Sequence, residues 1–189
     1  MAMLPEPLAT QVRGFGASIP DASIFDDDGS GEHGRDDEPH ITIKYGIHTG
    51  RIDEVASALE GEGPATATLR DTSVFYSEKY VVLKIGVSSQ DLKRLNGIVS
   101  SEMEVTDSFP DYHPHLTVAY LRHDRKDPYS FRQYFTTQFE GVQVEFDRLL
   151  FSPAKGSRGW IELDAPMAQV ASRVATAERV ALDFLRSQL

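Results

Sequence analysis

The 189-residue chain has no cysteine, which removes disulfides, thiolate metal sites and cysteine nucleophiles together. Any nucleophile must therefore be an oxygen, a nitrogen or water. Basic residues are also scarce, with 19 Lys and Arg against 29 Asp and Glu and a formal net charge of -10. A surface that binds long nucleic acid neutralises many phosphates, and this composition argues against one; a small anionic ligand in a local pocket stays compatible. No apolar run approaches the length of a membrane span, and Met1 to Thr10 lacks the basic start and apolar middle of a secretory signal. The expectation is a protein without a membrane partner, located in the cytoplasm. Nothing in the composition sets an oligomeric state.

The negative charge is concentrated. Asp21 to Glu38 holds eight acidic residues against Arg35 alone, with three glycines and little apolar content. Such a stretch reads as a mobile surface loop, and because it runs directly into His40 it is a candidate lid. With 40% hydrophobic residues, the whole chain suits one well-packed domain.

Two stretches carry the chemistry. Pro39 to Tyr45 (PHITIKY) and Pro114 to Tyr120 (PHLTVAY) share the pattern Pro-His-apolar-Thr-apolar. In an extended strand side chains alternate, so His40 and Thr42 share one face with Ile41 and Ile43 opposite; His115 and Thr117 do the same against Leu116 and Val118. Two such strands side by side make a groove with two imidazoles and two hydroxyls.

Around the motifs the chain reads as α+β. Residues 10–19 look like a strand interrupted by glycines. Asp53 to Leu59 has helical spacing and stops at Gly61 and Gly63. Ala65 to Tyr76 and Tyr80 to Val87 read as a hairpin. Ser88 to Met103 reads as a helix capped by Ser88 or Ser89, with Leu92, Leu95, Ile98 and Val99 on one face. A short helix over Tyr129 to Phe135 precedes strands at Val142 to Phe151 and Gly159 to Leu163. The order His strand, helix, long strand, turn, strand therefore occurs twice, which predicts an internal duplication with a pseudo-twofold axis between the motifs. Residues 1–165 form this duplicated two-lobe unit, and 166–189 a C-terminal helix packed on it.

Imidazole titrates near neutral pH, so a pair across a groove can act as base and acid in one turnover, each contributing about a hundred- to ten-thousand-fold. A phosphodiester suits the pair: one His takes a proton from the attacking water or 2′-hydroxyl while the other protonates the departing oxygen. Thr42 and Thr117 would hydrogen-bond the non-bridging oxygens, work done elsewhere by a metal. Lys44, four residues after His40, falls on the same face of a continued strand and would add positive charge; Ala119 stands at the matching place in the second copy. Phe75, Tyr76, Tyr112 and Trp160 are the aromatic candidates for stacking on a base, with Tyr76 and Tyr112 preferred.

PHITIKYG and PHLTVAYL resemble the two His-x-Thr-x signatures of the 2H phosphoesterase superfamily, which includes 2′-5′ RNA ligase-like proteins and cyclic phosphodiesterases. The resemblance implies a bilobal fold of two duplicated β-sheet lobes around a central cleft, with helices outside. It also implies metal-independent chemistry, without a cofactor, on 2′,3′-cyclic, 2′-5′ or other small nucleotide phosphodiesters. The family's catalytic histidines would be His40 and His115, and its hydroxyl residues Thr42 and Thr117. The acidic loop before PHITIKYGIHTG is similar to that of phage members, some of which destroy cyclic nucleotide defence signals in the host cytoplasm. Two readings of another kind stay open. A nucleotide-binding module would use the same histidines without turnover, and a metal hydrolase would use His113 and His115 as zinc ligands.

Overall fold

The computed structural model describes residues 1–26, 33–106, 111–123 and 131–164. In chain order the elements are β1 (Ala2–Met3), α1 (Leu8–Ala17), β2 (His40–Ile41), α2 (Ile52–Ala58), β3 (Ala65–Tyr76), β4 (Tyr80–Ser88), α3 (Gln90–Glu102), β5 (His115–Arg122), β6 (Gln143–Phe146), β7 (Arg148–Phe151) and β8 (Gly159–Glu162). Short 3₁₀ turns occupy Asp21–Ser23 and Arg132–Tyr134.

Six strands form one antiparallel sheet in the order β1-β2-β5-β4-β3-β6, and β7 and β8 pair separately. The two sheets are continuous through Met1, which exchanges backbone hydrogen bonds with Leu150 of β7, both 2.8 Å. That mutual exchange is an antiparallel contact. The molecule is thus mixed α+β, with four strands (β5, β4, β3, β6) on one side of the β2/β5 seam and four (β2, β1, β7, β8) on the other.

The duplication is visible at the seam and altered around it. Ile41 pairs with Leu116, each the residue after its motif histidine, which places a local twofold between β2 and β5. β3, which follows the first motif, lies on the side of the second. β7, which follows the second, lies on the side of the first. The expected equivalence of β4 and β8 is not kept: β4 flanks β5, whereas the place beside β2 is taken by β1, leaving β8 outside β7.

Most elements form where the pattern puts them. Ser89 caps α3 by accepting from the Leu92 amide at 2.9 Å, and Leu92, Leu95 and Val99 are buried beneath it. Three regions differ from expectation. Residues 8–17 are a helix, not a strand: Val12 and Ile19 are buried, and Leu8 and Phe15 pack on the core, at spacings of a helical stripe. The glycines that suggest a broken strand are accommodated in the helix: a Cβ on Gly14 would meet nothing within 4 Å, and one on Gly16 would make an ordinary contact 3.5 Å from the Val118 carbonyl. The stretch 142–151 breaks at Asp147 into β6, paired with β3, and β7, which joins the other lobe. Of the helix expected over 129–135, a 3₁₀ turn at Arg132–Tyr134 forms in the described part. The helix expected over 166–189 lies outside the described residues.

The acidic stretch is not a free loop where it is described. The Phe25 amide donates to the Tyr120 carbonyl at 2.9 Å, the Tyr120 amide to Gly34 at 2.7 Å, and the Asp36 amide to Val118 at 3.0 Å. Arg35 turns back to donate to the carbonyls of Gly16 and Ile19 and to Asp21. Both limbs therefore run along the edge of β5 beyond His40, the residue at which β2 begins. Residues 27–32, the tip, lie outside the described part.

Candidate active site

The seam decides where the motif side chains go. Ile41 and Leu116 are fully buried, and Ile43 and Val118 nearly so. The residues on either side of the Ile41/Leu116 pair therefore point to the opposite face. Continued by one residue each way, the antiparallel register sets His40 across from Thr117 and Thr42 across from His115. All four share one face, with the imidazoles at diagonal positions whose backbones stand about 7–8 Å apart.

The two imidazoles are held alike. Nδ1 of His40 donates to the Glu38 carbonyl at 2.7 Å, and Nδ1 of His115 to the His113 carbonyl at 2.9 Å. In both cases the acceptor is the carbonyl two residues earlier. A carbonyl accepts only, so Nδ1 must carry the hydrogen and Nε2 is left as the nitrogen that exchanges protons. His113 contributes its backbone to this arrangement while its own side chain is exposed. Among the described residues, no group of three or more His, Asp or Glu gathers at metal-ligand distance, and the metal site built on His113 and His115 lacks a third donor there.

Their electrostatic settings differ. Asp36, its side chain 14% exposed, brings Oδ2 to 3.8 Å from Nδ1 of His40. Burial pushes the Asp36 carboxyl above the usual range, opposed by the charge of His40. His115 is shifted the other way. Burial lowers it first, with Lys84, His40 and His113 adding in the same direction against the hydrogen bond to His113. Negative charge thus lies beside one ring and positive charge beside the other.

Lys84 and Asp36 belong to the site although neither lies in a motif. On β4, Lys84 pairs in register with Thr117, so it stands on the His face between buried Leu83 and Ile85. A lone lysine inside YVVLKIGV is the signal that could have found it. Burial alternates on through Thr42 and buried Ile43 to partly buried Lys44, which keeps Lys44 on the side of His40 and Thr42, although the ladder pairing of β2 ends at Ile41. Beyond it the Thr42 carbonyl accepts from the Tyr112 hydroxyl at 2.9 Å and the Ile43 carbonyl from Asn96 at 2.6 Å.

The tyrosines are placed differently from their expected use. Tyr112 packs on the core with its hydroxyl tied to Thr42, and burial pushes its ionisation well up. It is a brace for the first motif. Tyr76 is exposed at the end of the β3–β4 hairpin, edge-on to His123 and Phe131. The aromatic ring at the histidines is Phe75, 40% exposed and edge-to-face with His115 at 5.9 Å.

The family model of the 2′-5′ RNA ligase superfamily matches residues 5–157. The chain belongs to that superfamily, the 2H phosphoesterases. Among solved structures, TT0787 of Thermus thermophilus is similar in fold, with 15% identity, a TM-score of 0.58, and coverage of 87% of this chain and 96% of that one. Usb1 of Kluyveromyces marxianus, solved with uridine monophosphate, aligns at 12% identity and a TM-score of 0.48 over 86% of this chain and 94% of that one. A comparison with curated protein sequences returns no match. No described helix is long and apolar enough to cross a membrane.

Proposed function

We propose that the protein is a phosphodiesterase acting on a small nucleotide, with His115 as general base and His40 as general acid, and with no metal in the step. The observation that carries this reading is the matched pair of imidazoles, each with Nδ1 spent on a carbonyl two residues back, set about one twofold on one sheet face. Nε2 of His115 takes the proton of the attacking hydroxyl, from water or a ribose 2′-OH. The new P–O bond forms as the old one breaks, and the departing oxygen takes the proton of His40. The unequal surroundings support this order: His115 is held toward its neutral form, and Asp36 sets negative charge beside the ring that must arrive protonated. Thr42 and Thr117, each across the register from a histidine, would donate to non-bridging oxygens. Substrate candidates are 2′,3′-cyclic nucleotides, 2′-5′ dinucleotides and cyclic di- or trinucleotides, the last being the signals that an anti-defence enzyme of phage type would destroy.

Turnover of that panel in EDTA, with His40→Ala and His115→Ala beside the wild type, tests the proposal. Activity that survives chelation and falls by about 10² or more in each variant is expected, with a bell-shaped pH profile. Binding without turnover would leave a nucleotide-binding module. Activity lost on chelation would indicate a metal-bound hydroxide instead.

A further inference from the structure

We propose that Lys84 is the anion-binding group of this site, its ammonium holding a non-bridging oxygen of the phosphodiester beside Thr117 and so setting which way round the substrate lies between the histidines. The inference rests on the phosphodiesterase reading for the identity of the ligand, and on three independent observations for the site. Lys84 is in register with Thr117 on one side and Ser73 on the other, so a row of donors (Ser73, Lys84, Thr117) crosses three strands and ends at His40. It is half-buried between two fully buried neighbours. It also forms no ion pair with any carboxylate among the described residues, and burial alone lowers its affinity for a proton.

A half-buried ammonium that no described carboxylate neutralises is costly in the empty protein, and an anion arriving at that position reduces the cost. The register on the first motif's side is different. The β1 residue in register with His40 is Met3, and the carboxylate of Asp36 stands 3.8 Å from the His40 ring. An anionic phosphoryl oxygen is drawn to the His115 side and repelled from the Asp36 side. That asymmetry turns a nearly symmetric pair of motifs into a cleft with a direction. It also selects for substrates that carry the phosphodiester charge, since a neutral methylphosphonate offers Lys84 a hydrogen-bond acceptor but no negative charge.

The test uses Lys84→Met, which keeps the length of the chain and removes the charge, and Lys84→Arg, which keeps the charge. Two readouts are needed. The first is calorimetric binding of a nucleoside 3′-monophosphate, which does not depend on turnover. Lys84→Met is expected to weaken binding about 10-fold or more, with Lys84→Arg recovering part of it. The second is the pH profile of kcat/KM on whichever panel member is turned over. The titratable groups bearing on His115 are Lys84 from β4, His40 from β2 and His113 from the segment before β5, with Asp36 next to His40. A positive charge lowers the pKa of a neighbouring imidazole, so its removal raises that pKa and moves the acidic limb of the profile to higher pH. A merely structural lysine would not move that limb.

Equal affinity in wild type and Lys84→Met, or a wild type that binds no phosphate monoester, overturns the proposal. Lys84-dependent binding in a protein that turns over no phosphodiester would sink the catalytic reading and leave the anion site standing. The reverse, full turnover with an unmoved acidic limb and unchanged binding in Lys84→Met, would sink the anion site alone. Because the substitution relieves a half-buried charge, the variant is expected to melt no lower than wild type, which separates loss of function from loss of fold.

Discussion

At His40 and His115 one hydrogen bond recurs, Nδ1 to the carbonyl two residues back, and yet the charge around the two rings is of opposite sign. Asp36 is the residue that makes the difference on the His40 side, and its position has a thermodynamic signature. A carboxyl whose folded pKa is raised contributes stability at low pH that is lost as pH rises through that value. At pH 8 the folded protein therefore carries the cost of a desolvated carboxylate. Asp36→Asn keeps an oxygen for the Glu38 amide, which donates to Asp36 at 2.9 Å, and removes the charge. The variant is expected to melt at a higher temperature than wild type at pH 8, with the gap closing as pH falls toward 4. It should also lose part of the about 10²- to 10⁴-fold that a positioned acid contributes to turnover. Melting curves at the two pH values together with kcat measure both; a variant less stable at pH 8 would mean that Asp36 acts through its ion pair and not through its burial cost.

At the scale of elements, the first motif is the weaker of the two. β5 is eight residues long with a full neighbour in β4, whereas β2 has two residues and its continuation is held by side chains from elsewhere. Tyr112→Phe deletes one of those holds and nothing else. It should cost about 1 kcal/mol in urea denaturation, the ordinary worth of a hydrogen bond, and lower kcat by loosening Thr42. Unchanged turnover would show that Asn96 and the Gly46/Thr106 contact, 2.8 Å from amide to carbonyl, are sufficient to hold the strand. The elements that were legible in advance, α2, α3 and the β3–β4 hairpin, are those whose apolar period is unbroken and whose ends carry a cap or turn residue. Residues 10–19 misled because Gly14 and Gly16 read as breaks in a strand, whereas the stripe of Leu8, Val12, Phe15 and Ile19 supplies enough apolar contact to hold a helix through them.

Over the whole molecule, charge and architecture act together. The chain carries an excess of acid, and its proposed phosphate contact is the single cation Lys84, so the expectation is attraction to one phosphate and not to a polyanion. A labelled single strand of about 30 nucleotides is expected to show no anisotropy change at about 0.15 M salt, where binding to a basic track would depend on many phosphate contacts. Tight, salt-sensitive binding would point to a track formed by residues outside the described part.

Alternation by itself determined a good deal. Ile41, Ile43, Leu116 and Val118 had to face a core, and the His-Thr pairs had to face the other way, because a strand has only two sides. What tertiary structure alone decided is which strands meet. β2 and β5 became neighbours through a single register pair. β1 took the place a symmetric duplication would have given to β8, and Lys84, distant in sequence from both motifs, came to stand beside Thr117. Periodicity reports which side of its own strand a residue occupies. Neighbours across strands follow from the pairing of segments distant in sequence, and that pairing is set by the packing of the whole core.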